Sequence, residues 1–100
     1  MQSILNNTAA ASTPQLITGS NSLLYRSATF FGCSGFNASG IPISNTSTVY
    51  FGVNSGQCVM SVAAGASSIY TVQTTQERDN LGNIWFQSAT KGDGLYVLYN

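Results

Sequence analysis

Apolar and polar residues alternate along most of the chain, with a period of two from Ser22 onward. Around Leu24 the apolar side continues through Ala28 and Phe30, while Tyr, Ser and Thr occupy the positions between them. This alternation is typical of a β-strand with one buried face. Arg26 falls in register with the apolar side. We expect Arg26 either to lie near the strand end with its guanidinium in solvent, or to contact a carboxylate at an interface.

The same alternation recurs in the middle and at the end of the chain. It predicts strands at residues 48–53, 58–62, 69–72, 84–89 and 95–99. Gly, Asn and Ser at 54–56, and a glycine-containing segment at 90–94, predict tight connections between neighbouring strands. Since no segment has a helical period, we predict an all-β fold. The expected architecture is an antiparallel β-sandwich or a small barrel of about six to eight short strands.

Residues 1–20 lack this alternation. They are rich in Ala, Ser, Thr and Asn, and their apolar residues are too sparse for an amphipathic helix. We therefore predict an extended N-terminal arm at 1–20 and a β-sandwich domain at 21–100. The arm is either a disordered tail or a segment that orders on a neighbouring subunit, where Leu16 and Ile17 could add to a sheet edge. On both interpretations the domain is expected to fold without the arm.

Charged side chains are rare in this chain. There are three Lys or Arg, three Asp or Glu and no His among 100 residues, of which 43% are hydrophobic. Binding to nucleic acid requires clustered Lys and Arg, so we do not expect it. The chain also has few side chains that could act as an acid or a base in catalysis. Glu77 and Asp79 flank Arg78 in a polar stretch typical of a solvated loop, and Asp93 lies in a turn where backbone preference explains an Asp. We predict that the protein is not an enzyme, because a minimal hydrolase that uses Glu77 or Asp79 fits poorly.

The two cysteines, Cys33 and Cys58, allow two interpretations: buried free thiols, or a disulfide between neighbouring strands. They lie 25 positions apart in a chain without His, so no zinc ligand set and no cofactor are expected. The first residues resemble no secretory signal, and no apolar run of about 18 residues occurs. We therefore expect a soluble product made in the cytoplasm, with no membrane partner.

Tyrosines tend to fall on the side opposite the aliphatic residues, as Tyr50 does beside Phe51 and Tyr96 does beside Val97. A row of outward tyrosines can bind sugar or protein. Alternatively, tyrosine simply occupies exposed strand positions, or both sandwich faces are covered. The residues that we predict at an interface are Leu16, Ile17, Arg26, Tyr50, Tyr70 and Tyr96.

Four segments carry a resemblance to a known group of proteins: residues 40–43 (GIPI), 48–56 (TVYFGVNSG), 81–86 (LGNIWF) and 94–99 (GLYVLY). Together with the AAGAS turn at 63–67, they resemble the small β-sandwich virion proteins of tailed bacteriophages, which end in a short closing hairpin. The resemblance covers about residues 22–100 and includes no active-site signature. It implies a capsid decoration or cement protein, or a fibre module, often trimeric.

Two functions therefore stay open. The first is a structural virion protein that is made in the host cytoplasm and binds and stabilises neighbouring subunits of the major capsid protein, as a homotrimer. The alternative is a tail- or head-fibre module that binds a host receptor or carbohydrate. For the first function, the low charge predicts an assembly that depends little on salt.

Overall fold

The computed structural model describes residues 2–19, 22–56, 58–65, 69–73 and 79–100. Glu77 and Arg78 of the predicted solvated loop lie outside these residues. None of the described residues form a helix that is long and apolar enough to cross a membrane. The elements are β1 (Gln2–Asn6), β2 (Gln15–Leu16), β3 (Leu24–Tyr25), β4 (Ser27–Phe31), β5 (Cys33–Phe36), β6 (Pro42–Ser44), β7 (Val49–Gly52), β8 (Met60–Val62), β9 (Ile69–Gln73), β10 (Asp79–Asn80), a 3-10 turn (Leu81–Asn83), β11 (Trp85–Ser88) and β12 (Leu95–Tyr99).

Eight of these strands form two four-stranded antiparallel sheets. Sheet I has the order β1-β12-β4-β9, and sheet II has the order β2-β11-β7-β8. The other four strands form two short pairs, β5 with β6 and β3 with β10. The all-β class and the eight main strands confirm the prediction. Both sheets are open at their edges, so the fold is sandwich-like and not a closed barrel.

The core lies between the two sheets and is built from alternate residues of their strands. The rings of Phe30 in sheet I and Phe51 in sheet II stack with their centroids 4.5 Å apart. Burial of a side chain of this size contributes about 1.5–3 kcal/mol. Other buried apolar residues of the two sheets include Ala28, Val49, Val62, Phe86, Leu95, Val97 and Tyr99. The period of two thus places one side of each central strand in the core.

The N-terminal segment is extended, as predicted, but it lies on its own domain. Strand β1 pairs with β12, with Gln2 opposite Tyr99. Strand β2 pairs with β11, and both Ala9 and Ile17 are buried in the core. The two predicted interpretations, a disordered tail and an arm on a neighbouring subunit, are therefore corrected. The predicted boundary at residue 20 has no counterpart in the packing, because the isolated apolar residues of the segment fill separate gaps in the core.

The alternation of buried and exposed residues shifts by one position near Arg26. Tyr25 is buried and Leu24 is exposed, which is the reverse of the predicted alternation. Arg26 occupies a bend between β3 and β4, and its backbone N–H donates to the carbonyl of Asn100 at 2.6 Å. From Ala28 onward in β4, the residues predicted to face the core are buried. The bend shifts the register by one position, which leaves Arg26 exposed.

The connection between β11 and β12 is not the turn of a hairpin. The two strands belong to different sheets, so residues 89–94 carry the chain from sheet II to sheet I. Gly92 has a φ of 89°, which is the positive value predicted for this segment. The closing hairpin implied by the resemblance is therefore absent, although each of its strands forms where the sequence predicts it.

Asp93 fixes this connection in place. Its side chain is buried, and its carboxylate oxygens accept hydrogen bonds from the backbone N–H groups of Thr46 and Ser47, each at 2.9 Å. The hydroxyl of Ser88 donates to the same carboxylate at 2.8 Å. Backbone preference in a turn is therefore an incomplete explanation for Asp93. The residue connects the end of β11 to the segment that leads into β7.

Asn45 makes the neighbouring connection. Its side-chain amide donates to the carbonyl of Gly94 and accepts from the backbone N–H of Gly94, both at 2.8 Å. A Cβ atom at Gly94 would lie 2.7 Å from the carbonyl oxygen of Cys33 and 2.9 Å from that of Asn6. Only glycine fits this position without a backbone shift. Three distant segments thus meet at the start of β12.

Candidate functional site

The outer side of sheet I carries a row of apolar side chains. The strand register places Leu5 opposite Tyr96, and Tyr96 opposite Phe31. The rings of Tyr96 and Phe31 lie 5.8 Å apart and are tilted by 48°. Because neighbouring strands in a sheet lie about 4.8 Å apart, the row crosses three strands without a gap.

The β5–β6 hairpin extends this row. Phe36 is exposed and meets the ring of Tyr96 edge-on, with centroids 5.0 Å apart and an interplanar angle of 83°. Ile41 and Ile43 of the same hairpin are also exposed, but Phe36 pairs with Pro42 in the register, so the two isoleucines lie on the other side of the hairpin. The side chain of Asn37 closes the turn by accepting from the backbone N–H groups of two turn residues. We call Leu5, Phe31, Phe36 and Tyr96 the apolar face. Contiguous apolar surface of this kind, without charge, is typical of protein interaction sites.

The outer side of sheet II carries a small pocket instead. Tyr50 of β7 lies opposite Gln87 of β11, and 46% of Tyr50 is exposed. Together with Ser12, Ser88 and Ala89, these two residues line a cavity of about 190 Å³. We call these five residues the polar pocket. Each is uncharged, so the pocket combines an aromatic ring with an amide and hydroxyl groups.

A strained turn in the N-terminal segment forms one wall of the pocket. The turn is closed by the backbone N–H of Thr13, which donates to the carbonyl of Ala10 at 3.0 Å. Ser12 has a φ of 56°, in the left-handed region that favours glycine. Its backbone N–H donates to the carbonyl of Ser88 at 2.7 Å, which holds the turn on the end of β11. Such strain costs on the order of 1 kcal/mol and occurs often at binding sites.

The predicted interface residues outside the tyrosines are spread over the fold. Leu16 is half-buried and lies opposite Trp85 in the register of sheet II. Ile17 is 1% exposed and belongs to the core, so its side chain is not available to a partner. Arg26 is exposed at its bend, away from the strand register of both sheets. The side chains of these three residues therefore do not form one exposed surface.

The three predicted tyrosines occupy three different environments. Tyr50 is exposed beside the buried Phe51, and Tyr96 is half-buried on the outer side of sheet I. These two placements agree with the predicted alternation. Tyr70 lies opposite Phe30 and therefore faces the inner side of sheet I. Its ring meets the ring of Phe51 edge-on at 5.6 Å, while 39% of Tyr70 stays exposed at the sheet edge.

Sequence reasoning missed several residues of these two surfaces. Phe31 follows the buried Phe30, and two adjacent aromatics in one strand must point to opposite sides. That signal was available in the sequence. Phe36 lies in a strand that contains glycine and an irregular register between Cys33 and Gly35, so no alternation marks it. Ser12 reaches its pocket through a turn, which periodicity does not detect.

The cysteines are free thiols in the structure, so the disulfide alternative is not formed. Cys33 is buried and Cys58 is half-buried. Burial raises the pKa of the Cys33 thiol above 9.0, and a backbone hydrogen bond from Gly35 offsets part of the rise. Burial likewise raises the pKa of the Cys58 thiol. Both thiols are protonated at neutral pH and are weak nucleophiles. Within the described residues, no three His, Cys, Asp or Glu side chains lie close enough to hold a metal ion.

Comparisons of the chain with protein-family models, with curated proteins and with solved structures find no match. The function is therefore inferred from the outer surfaces of the two sheets. The apolar face is suited to another protein, and the polar pocket is suited to a small uncharged ligand.

Proposed function

We propose that this protein is a non-enzymatic structural subunit that binds other proteins through the apolar face. Following the resemblance of residues 22–100 to small virion proteins of tailed bacteriophages, we further propose that it is a capsid decoration or cement protein. In that role it binds and stabilises neighbouring subunits of the major capsid protein. The observation that supports the proposal is the uninterrupted row of Leu5, Tyr96 and Phe31, extended by Phe36.

The apolar face offers a favourable free energy of association. Burial of apolar surface contributes about 25 cal/mol for each Å² removed from water, and aromatic side chains dominate such contacts. We also propose a homotrimer. A domain of 100 residues buries only about two-thirds of the surface of its unfolded chain, so association with other copies adds burial that the core lacks.

The partner surface is proposed to be uncharged, because none of the residues of the apolar face carries a charge. Screening by salt acts on charges, so the association constant should change by less than about threefold between about 0.05 and 0.5 M salt. Cosedimentation with capsids across this range measures the change. A steep loss of binding with salt would contradict an uncharged interface.

A lysine substitution in the apolar face tests the proposal. In Phe36→Lys, burial of an ammonium group at the interface should weaken association by at least about tenfold. The matched control is Val59→Lys, because Val59 is 81% exposed in the connection between β7 and β8. Light scattering measures self-association, and cosedimentation with capsids of the phage that encodes the chain measures capsid binding. Equal binding by the two variants would rule out the apolar face as the contact.

A second candidate function is a tail- or head-fibre module that binds a host receptor or carbohydrate. The polar pocket favours it, since an aromatic ring beside uncharged polar groups is typical of such sites. A monomer that binds glycans would support this candidate. A trimer, or capsid-dependent binding, without affinity for glycans would support the first.

A further inference from the structure

We propose that the polar pocket binds a single neutral sugar ring. This inference rests on the second candidate function and does not depend on the capsid role. It concerns sheet II, whereas the proposed capsid contact lies on sheet I, so each can fail without the other.

The size of the pocket limits the ligand. Its volume of about 190 Å³ is below the roughly 300–1,000 Å³ of pockets that enclose drug-sized ligands. One six-membered ring with its substituents is the size that matches such a cavity. A longer glycan would therefore place one residue in the pocket and leave the others outside it.

The lining matches the two kinds of surface on a pyranose. One face of the ring presents C–H groups, which pack on an aromatic side chain, and Tyr50 provides that ring at the pocket. The rim of a pyranose carries hydroxyl groups, which require uncharged donors and acceptors. Gln87 provides an amide directly opposite Tyr50, and Ser12 provides a hydroxyl group.

These polar groups are not used within the fold. The side chains of Ser12, Tyr50 and Gln87 make no hydrogen bond to any other residue that the structure describes. Ser88 differs, because its hydroxyl already donates to Asp93 and accepts from the backbone N–H of Thr90. Ser88 therefore shapes the pocket, and the other three side chains are available to bind hydroxyl groups of a ligand.

The charge of the lining excludes acidic sugars as preferred ligands. The five residues of the pocket include no Lys or Arg, and a carboxylate or phosphate that leaves water without a cation loses favourable solvation. Neutral hexoses and N-acetylhexosamines carry no charge, and each has both an apolar ring face and a rim of hydroxyl groups. The hydrogen bond from the backbone N–H of Ser12 to Ser88 attaches the turn to β11 and so fixes the backbone of Ser12 at the pocket.

Titration with methyl glycosides tests the inference. The probes are the methyl glycosides of glucose, galactose, mannose and N-acetylglucosamine, observed by amide chemical shifts of the full chain. At least one should bind saturably, with a dissociation constant on the order of millimolar, and should shift the amide signals of Ser12, Tyr50 and Gln87. Tyr50→Ala should weaken this binding by about tenfold or more.

The matched control is Tyr96→Ala, which removes the same side chain from the opposite sheet and should leave sugar binding unchanged. Ser12→Gly removes the hydroxyl while relieving the positive φ, so it should stay folded and bind the sugar more weakly. Dispersed amide spectra confirm the fold of each variant. The inference is overturned if no glycoside shifts the pocket signals at tens of millimolar, or if Tyr50→Ala binds the glycosides as the wild type does.

Discussion

The two outer surfaces of the sandwich differ although the sheets behind them are alike. Both sheets have four antiparallel strands, and both send alternate residues into one shared core. Sheet I presents Leu5, Tyr96 and Phe31 outward, whereas sheet II presents Tyr50 and Gln87. The inward positions are therefore set by packing. The outward positions are free to differ, and their difference is the best indication of function in this chain.

The two surfaces also share a dependence on the N-terminal segment. Strand β1 supplies Leu5 to the apolar face, and the turn at Ser12 supplies one wall of the polar pocket. A single segment thus contributes to both sides of the molecule. Changes to it should disturb both surfaces at once, while changes at single outward tyrosines should separate them.

Removal of residues 1–19 should have the largest effect. It deletes an edge strand from each sheet and uncovers the core where Ala9 and Ile17 were buried, so the structure gives the opposite expectation from the sequence. The loss should exceed about 5 kcal/mol, which is close to the whole stability of a small domain. Circular dichroism and amide spectra of the truncated chain measure the outcome. A folded truncated domain would show that the segment is dispensable.

A paired substitution checks the same point in the full chain. Ile17→Ala should lower the free energy of unfolding by about 2–5 kcal/mol, because its side chain is in the core. Leu16→Ala, one position earlier and half-buried, should cost less than half as much. Equal costs in urea unfolding would contradict the described burial.

Replacement of Asp93 should have the next largest effect. Asp93→Ala leaves the N–H groups of Thr46 and Ser47 and the hydroxyl of Ser88 without their acceptor. We expect a loss of about 2–4 kcal/mol in the free energy of unfolding. Lys91→Ala, at an exposed position of the same connection, should change it by less than about 0.5 kcal/mol. If the two variants unfold alike, the carboxylate does not stabilise the contact between this connection and the segment that leads into β7.

The outward tyrosines should differ in what they contribute to stability. Tyr96→Ala removes ring contacts to Phe31 and Phe36 and should cost about 2 kcal/mol. The ring of Tyr50 makes no contact with the ring of another described residue, and the side chain is partly exposed. Tyr50→Ala should therefore lower the free energy of unfolding by about 1 kcal/mol or less. Urea unfolding compares them. A larger cost for Tyr50→Ala would mean that the polar pocket is a structural element.

The smallest effect should come from the thiols. The pKa of Cys33 is raised in the folded state, so the folded protein keeps a proton that the unfolded chain releases at alkaline pH. Stability from this group is therefore present below the thiol pKa of the unfolded chain and is lost as the pH rises above about 9. Urea unfolding between about pH 8 and pH 10 should show the decline, and Cys33→Ala should flatten it. An identical slope in that variant would assign the decline to other groups.

Local alternation was sufficient to predict the central strands. Strands β7, β8, β9, β11 and β12 lie within or next to the predicted runs. The described residues of β7, β11 and β12 alternate between buried and more exposed positions over most of each strand. Pairing between distant segments was not predictable in the same way. The connection between β11 and β12, which lie in different sheets, contacts residues far away in the chain: Asp93 accepts from Thr46 and Ser47, and Gly94 pairs with Asn45. Strands β1 and β2 are edge strands with few buried residues, so they lack a clear period.

The surfaces were partly predictable for the same reason. Tyr50 and Tyr96 were found because each adjoins a buried residue in a regular strand. Ile17 was misplaced, because it fills a gap in the core after a short strand. Tyr70 is partly exposed on the inward side of a sheet edge, so its role at an interface stays a prediction. Recognition of Phe36 and Ser12 required the hairpin and the turn that position them.

The pairing of β1 with β12 has a consequence for how the chain folds. Gln2 pairs with Tyr99, so completion of sheet I must close a loop of nearly the whole chain. Contacts so distant in sequence slow folding, typically to milliseconds or seconds for all-β domains. During synthesis β1 has no partner strand until β12 leaves the ribosome. Strand β1 is thus paired only after β12 has been made, and its backbone N–H and C=O groups stay exposed to other chains in the meantime.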